Sequence, residues 1–120
     1  MLKKHWEDVE DKQAILADGT HVKNVFIRWL VDNNDGASNF AMRRIEIKPG
    51  GKVPLHGHPE DHEIFILQGK GKLFNDKGQE ELANEGDVFY IPPSEKHAME
   101  NLGENDFAFI CVIPYLEKEN

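Results

Sequence analysis

The chain has 120 residues, 39% apolar and 30% charged, a length and balance suited to one globular domain with a single modest core. Its formal net charge of −8 opposes a phosphate backbone, which argues against nucleic acid as a partner. The lone cysteine, Cys111, excludes an intrachain disulfide and fits a reducing cytoplasm.

The opening MLKKHWEDVEDK carries two lysines and no apolar run, so it does not read as a signal peptide. No apolar run in the chain is long enough to span a bilayer, and no membrane partner is expected. Residues 1–22 read as an N-terminal extension, with one short helical turn possible within 6–16. After them the signal is β. VFIRWL (25–30), FAMRRIEI (40–47), EIFILQ (63–68), KLF (72–74), DVFYI (87–91) and FAFICVI (107–113) are short runs rich in β-branched and aromatic residues. Gly, Pro, Asn and Asp separate them, in NNDG (33–36), KPGGKVP (48–54), NDKG (75–78), NEGD (84–87), IPPSEK (91–96) and NLGEND (101–106). This spacing predicts an all-β sandwich or barrel of short antiparallel strands.

Alternation assigns faces, because successive strand residues point to opposite sides. Arg43, Ile45 and Ile47 share one face of their run; Phe40, Met42, Arg44 and Glu46 share the other. Phe107, Phe109, Cys111 and Ile113 share a face, and the opposite one, Ala108, Ile110 and Val112, is also apolar. A strand apolar on both faces is covered on both. In a chain this small a second copy supplies that cover, so a homodimer is expected.

Four of the six histidines are close enough to matter, while His5 and His21 stand apart and read as surface residues. His56 and His58, two apart, share a face of an extended segment. His62 follows the short turn PED (59–61), and His97 follows Pro92–Pro93. Four imidazoles from three segments meeting inside a barrel would hold a metal ion. His62 shares a face with Ile64 and Ile66, whereas its neighbour Glu63 falls with Phe65 and Leu67. Parity therefore turns His62 inward and Glu63 outward, with Glu63 in place of His62 as the alternative ligand.

These motifs resemble those of the cupins. The first cupin motif, G-x5-HxH-x3/4-E-x6-G, is met by Gly50, His56-Gly57-His58, His62 and Gly69, over residues 50–69. The second, G-x5-P-x-G-x2-H-x3-N, is met by Gly86, Pro92, Ser94, His97 and Asn101, over 86–101. Two residue types depart: His62 stands where the family has Glu, and Ser94 where it has Gly. Counting back six residues from Gly69 lands on His62, in agreement with parity. The resemblance implies a double-stranded β-helix, or jelly roll, of two antiparallel sheets and a single cupin domain over 1–120.

The chain is similar to a subgroup of small cupins with four histidine ligands. The shared features are HxHPxxHEIF, then Asn39, Phe40, Met42 and Arg43 followed by PGG (49–51), and Phe109, Cys111, Ile113 and Pro114 near the end. That resemblance implies one divalent metal ion, manganese first, with Fe, Ni, Zn, Co or Cu as other occupants, held by His56, His58, His62 and His97. It also implies a homodimer and oxidative cleavage of carbon–carbon double bonds with a peroxide oxidant.

Parity places Ile45, Ile47, Ile64, Ile66, Met99, Phe109, Cys111 and Ile113 on the pocket walls, with Arg43 as the exception. Arg43 reads either as an exposed arginine at a strand end or as a cation that holds an anionic substrate or supports the ligands. Cys111 reads as a small buried hydrophobe or as a thiol open to oxidation beside the metal. No acid, tyrosine or lysine falls clearly on the inner face, so no general base is named. The expected function is a dioxygenase-like oxidoreductase acting on a small organic substrate with O2 or peroxide. The alternatives are a non-redox metal-dependent isomerase or lyase, or a cupin that only binds metal or ligand.

Overall fold

The computed structural model describes residues 1–116 as ten strands and two single turns of 3-10 helix. The strands are β1 (Lys12–Ile15), β2 (His21–Val31), β3 (Phe40–Ile47), β4 (Lys52–His56), β5 (His62–Gln68), β6 (Gly71–Asn75), β7 (Glu80–Ala83), β8 (Val88–Ile91), β9 (His97–Asn101) and β10 (Phe107–Pro114). They form two antiparallel sheets. One has six strands in the order β1-β2-β3-β10-β5-β8; the other has four, β4-β9-β6-β7. The expected all-β, two-sheet jelly roll is therefore the observed fold.

Each apolar run predicted as a strand forms one. The strands missed from sequence, β1, β4, β7 and β9, are short and carry polar residues, with little period-two contrast to betray them. Residues 6–16 hold a single 3-10 turn, Trp6–Asp8, and then β1 pairs with β2, so the supposed extension supplies an edge strand of the large sheet.

The core lies between the sheets. Val25, Ile47, Ile64, Ile66, Phe107, Phe109 and Cys111 are fully buried. Phe107 and Phe109 pack with ring centroids 5.4 Å apart. Gly71 makes room for the Phe107 ring, which a β-carbon at Gly71 would strike. Gly69, in the left-handed region at φ 85°, lies against the Asp106–Phe107 backbone, where a side chain would collide. Asn101 ties the two sheets: its buried amide donates to the Ile47 carbonyl at 2.9 Å and to that of Asn105 at 2.8 Å.

On the outer face of the large sheet the N-terminal segment is strapped down by cations. The Arg44 guanidinium lies 4.0 Å from the Trp6 ring centroid, and Arg28 donates to the carbonyls of Trp6, Glu7 and Val9. Trp6 is thus a packing residue. Beyond this strap Phe40, Phe65, Val88 and Tyr90 stay exposed.

Candidate metal centre

At one end of the barrel the four clustered histidines meet. β4 ends on His56, β5 begins on His62 and β9 begins on His97, so strand termini set three of them; His58 sits in the turn between β4 and β5. His56 pairs across the small sheet with His97, and their ring centroids are 4.4 Å apart. The His58 and His62 rings stack at 4.4 Å, and His97 lies edge-on to both, at 5.4 and 4.9 Å. One nitrogen each from His56, His58 and His97 lie within 4.8 Å of one another. His62 falls outside that trio of nitrogens and touches it through His58, the two Nε2 atoms lying 2.6 Å apart. His5 and His21 are exposed, away from this group.

The faces agree with parity. His62, Ile64 and Ile66 are buried, while Glu63 and Phe65 point to solvent. Ser94, at the motif position where glycine is usual, has φ 64°: the left-handed backbone persists although the glycine does not. Its N–H donates to the His58 carbonyl at 2.9 Å and ties the approach to His97 to the first histidine loop.

Hydrogen bonds fix the tautomers. His56 Nδ1 lies 2.8 Å from the Pro54 carbonyl, and His97 Nδ1 lies 2.7 Å from that of Glu95. A carbonyl only accepts, so both rings carry the proton on Nδ1 and present Nε2 as a bare lone pair. In His97 that nitrogen is buried with no hydrogen-bond partner among the described residues. Burial pushes His62 down to about 2 and His97 to about 4, with repulsion from neighbouring positive groups adding to both. It lowers His58 too, against the opposing pull of Glu60. Neutral imidazoles with inward lone pairs are metal donors. An orphaned, buried, inward-facing lone pair is what a cation satisfies, so the residues present fit a divalent metal.

Above the histidines opens a cavity of about 290 Å³, lined by β1, β2, β3 and the histidine loop. Its walls are mainly apolar, with Ile27, Ile45, Val53, Met99 and Ile113 prominent. Arg43 lines it as well. The guanidinium lies 5.3 Å from the Trp29 ring centroid and donates to Cys111 Sγ at 3.0 Å, and its Nε is buried without a partner among the described residues. Arg43 is thus an inner-face residue, not an exposed one at a strand end.

Two corrections to the sequence reading concern this cavity. Ile47, Ile64, Ile66, Phe109 and Cys111, expected on its walls, lie in the packed core and do not line it. They face inward as parity required, but further down the barrel. An acid does reach the cavity: Glu60 lines it and brings a carboxylate oxygen within 3.2 Å of His58 Nδ1, at an angle that makes no hydrogen bond. Glu60 was missed because it lies in a turn, where alternation assigns no face. The β1 residues on the rim were missed for want of a strand signal.

The cupin domain family matches residues 43–113, more than half of the chain, and the protein belongs to that family. The chain is 39% identical over 71 residues to an oxalate-binding protein of Thermotoga maritima, a match covering 58% of each chain. It is 30% identical over 115 residues to the oxalate decarboxylase OxdC of Bacillus subtilis, covering 92% of this chain but only 27% of that enzyme. The polyketide cyclase RemF of Streptomyces resistomycificus has a similar structure, with a TM-score of 0.84 and 30% identity, covering 95% of this chain and 79% of that one. The chain thus spans well under two thirds of the curated relatives it matches.

Proposed function

We propose that this cupin is a metal-dependent oxidoreductase, dioxygenase-like, whose divalent ion is held by His56, His58, His62 and His97. The observation that carries the metal reading is the buried His97 Nε2 lone pair, aimed at its neighbours with no donor to meet it. Manganese is our first candidate; four imidazoles also suit iron, nickel, zinc, cobalt or copper. Bound there, the ion would supply Lewis acidity and a redox centre for O2 or peroxide. Without a carboxylate among the four ligands, its full dipositive charge would remain to attract an anionic substrate group.

The chain's own residues set the substrate. Apolar walls and a volume of about 290 Å³ suit a small organic molecule with an aromatic or alkene body. Arg43 is the cation on those walls and would pair with a carboxylate or phenolate. An oxalate-sized dianion would leave most of the apolar surface unmatched, so we assign a larger substrate than the oxalate named for two of the relatives.

A second reading, a non-redox isomerase, lyase or cyclase, is favoured by Glu60, a carboxylate within reach of the cavity that could take a proton. The likeness to a polyketide cyclase supports the same reading. Metal analysis of protein purified without added metal, followed by an oxygen- and peroxide-uptake screen with alkenyl phenols, separates the two. Metal-dependent oxidant consumption is the expected result. Turnover without oxidant would establish the second reading, and ligand binding with no turnover in any metal form would leave only a binding protein.

We further infer that residues 1–120 act as one domain, in the cytoplasm, as a homodimer. Cys111 is a free, buried thiol, which suits a reducing compartment. Among the described residues no helix is long and apolar enough to cross a membrane. The exposed Phe40, Phe65, Val88 and Tyr90 form the apolar outer face that a second copy would cover.

A further inference from the structure

We infer that Cys111 is a positioning residue: its sulfur is the acceptor that holds His62 as the Nδ1–H tautomer and aims Nε2 at the metal. The inference rests on the four-histidine reading above and deepens it.

The histidines show how this end of the barrel orients an imidazole. His56 and His97 each donate Nδ1–H to a backbone carbonyl two residues earlier. His62 is buried at the start of β5 and makes no such bond. Its Nδ1 lies 3.1 Å from Cys111 Sγ, across the sheet on β10. The register explains the meeting: Cys111 pairs with Ile64 on one side and with Arg43 on the other, so its side chain projects between those of β5 and β3. Arg43 Nη2 donates to the same sulfur at 3.0 Å. A guanidinium has only donors, so the sulfur accepts from Arg43 whatever else it does.

The second bond follows from His58. The Nε2 atoms of His58 and His62 are 2.6 Å apart, so without metal one proton lies between them. Metal binding needs both nitrogens bare, and His62 then keeps its proton on Nδ1, facing Cys111. The sulfur becomes a double acceptor, taking one hydrogen bond from Arg43 and one from His62. Cys111 thereby does for His62 what main-chain carbonyls do for His56 and His97. Such outer partners fix ring orientation and raise donor strength, and their loss costs about 10- to 100-fold in metal affinity. A small buried hydrophobe would need only volume at this position; an orienting acceptor needs a lone pair.

The test separates these roles with Zn(II) as the probe. Affinity is read by competition with a chromophoric chelator for the native chain, Cys111→Ser and Cys111→Val. The His62 tautomer in the zinc-loaded native protein is read by two-bond ¹H–¹⁵N correlation. Cys111→Val, close to cysteine in bulk but without an acceptor, should lose about 10- to 100-fold in affinity, and Cys111→Ser should recover most of it. Native His62 should carry its proton on Nδ1. Equal affinity in Cys111→Val and the native chain would overturn the inference while leaving the metal site standing, whereas a native His62 protonated at Nε2 would remove His62 from the ligands and overturn the inference and the four-histidine reading together. A native chain that takes up no zinc would remove the four-histidine reading, and this one with it. Should Cys111→Val fail to fold, Cys111→Ala, which also lacks an acceptor, supplies the same comparison with Cys111→Ser.

Discussion

The two ends of the barrel are built from the same strands and solve opposite problems. At one end Phe107, Phe109, Ile47 and Ile66 fill the space between the sheets, and Gly71 makes room for the Phe107 ring. At the other, the same inward faces of β3, β5 and β10 carry Arg43, His62 and Cys111, and the space above them is a cavity of about 290 Å³. The filled end supports the fold, and close packing there makes every lost atom costly. The hollow end gives up that packing and buries polar groups, some of them unsatisfied. Such a concession is expected where a ligand or ion completes the structure.

Substitutions should divide along this line. The largest loss of stability should come from the filled end: Phe107→Ala should cost about 3–5 kcal/mol in denaturant unfolding. A comparable loss from a cavity-wall change such as Ile113→Ala would erase the contrast between the ends. At the hollow end the large effect should fall on metal instead. His97→Ala and His62→Ala should each lower metal affinity by about 100-fold or more, equivalent to roughly 2.7 kcal/mol, with little change in the melting of the metal-free chain. Metal content measured on the purified variants checks this, and full occupancy in His62→Ala would remove His62 from the ligand set.

Acid should act through the hollow end as well. His62 and His97 titrate below their ordinary 6.5 when folded, at about 2 and about 4. The unfolded chain therefore binds protons below pH 6.5 that the folded chain refuses, and stability falls as pH drops. The loss should reach roughly 2 kcal/mol from each by about pH 5. Urea melts of metal-free protein at about pH 7 and 5 measure it, and His97→Gln should flatten part of the slope. The smallest effects belong to the outside of β5. Phe65→Lys should convert the proposed dimer to a monomer in light scattering, with fold stability changed by no more than about 0.5 kcal/mol. Glu63→Ala should leave metal content unchanged.

Much of this was legible in the chain because β structure has a period of two. Alternation turned His62, Ile64 and Ile66 inward and Glu63 outward, and in the fold the first three are buried and Glu63 is exposed. Depth along the barrel has no such period. Ile45 and Ile47 share a face, yet Ile45 lines the cavity and Ile47 lies in packed core. Glu60 escaped notice for a related reason: a turn residue has no parity, so its carboxylate was placed beside His58 only by the fold.

By itself, then, the sequence determined the class of fold, the inward set of histidines and the side of β5 on which each residue lies. All three depend on local alternation and on fixed spacings between turns. Only the tertiary structure decided which inward residues pack and which leave space, and which nitrogen of His56 and of His97 is free. It alone brought the sulfur of Cys111, 49 residues from His62, against the Nδ1 of that ring. Those outcomes depend on cross-strand register and on the closure of two sheets, which bring together groups that no local pattern relates.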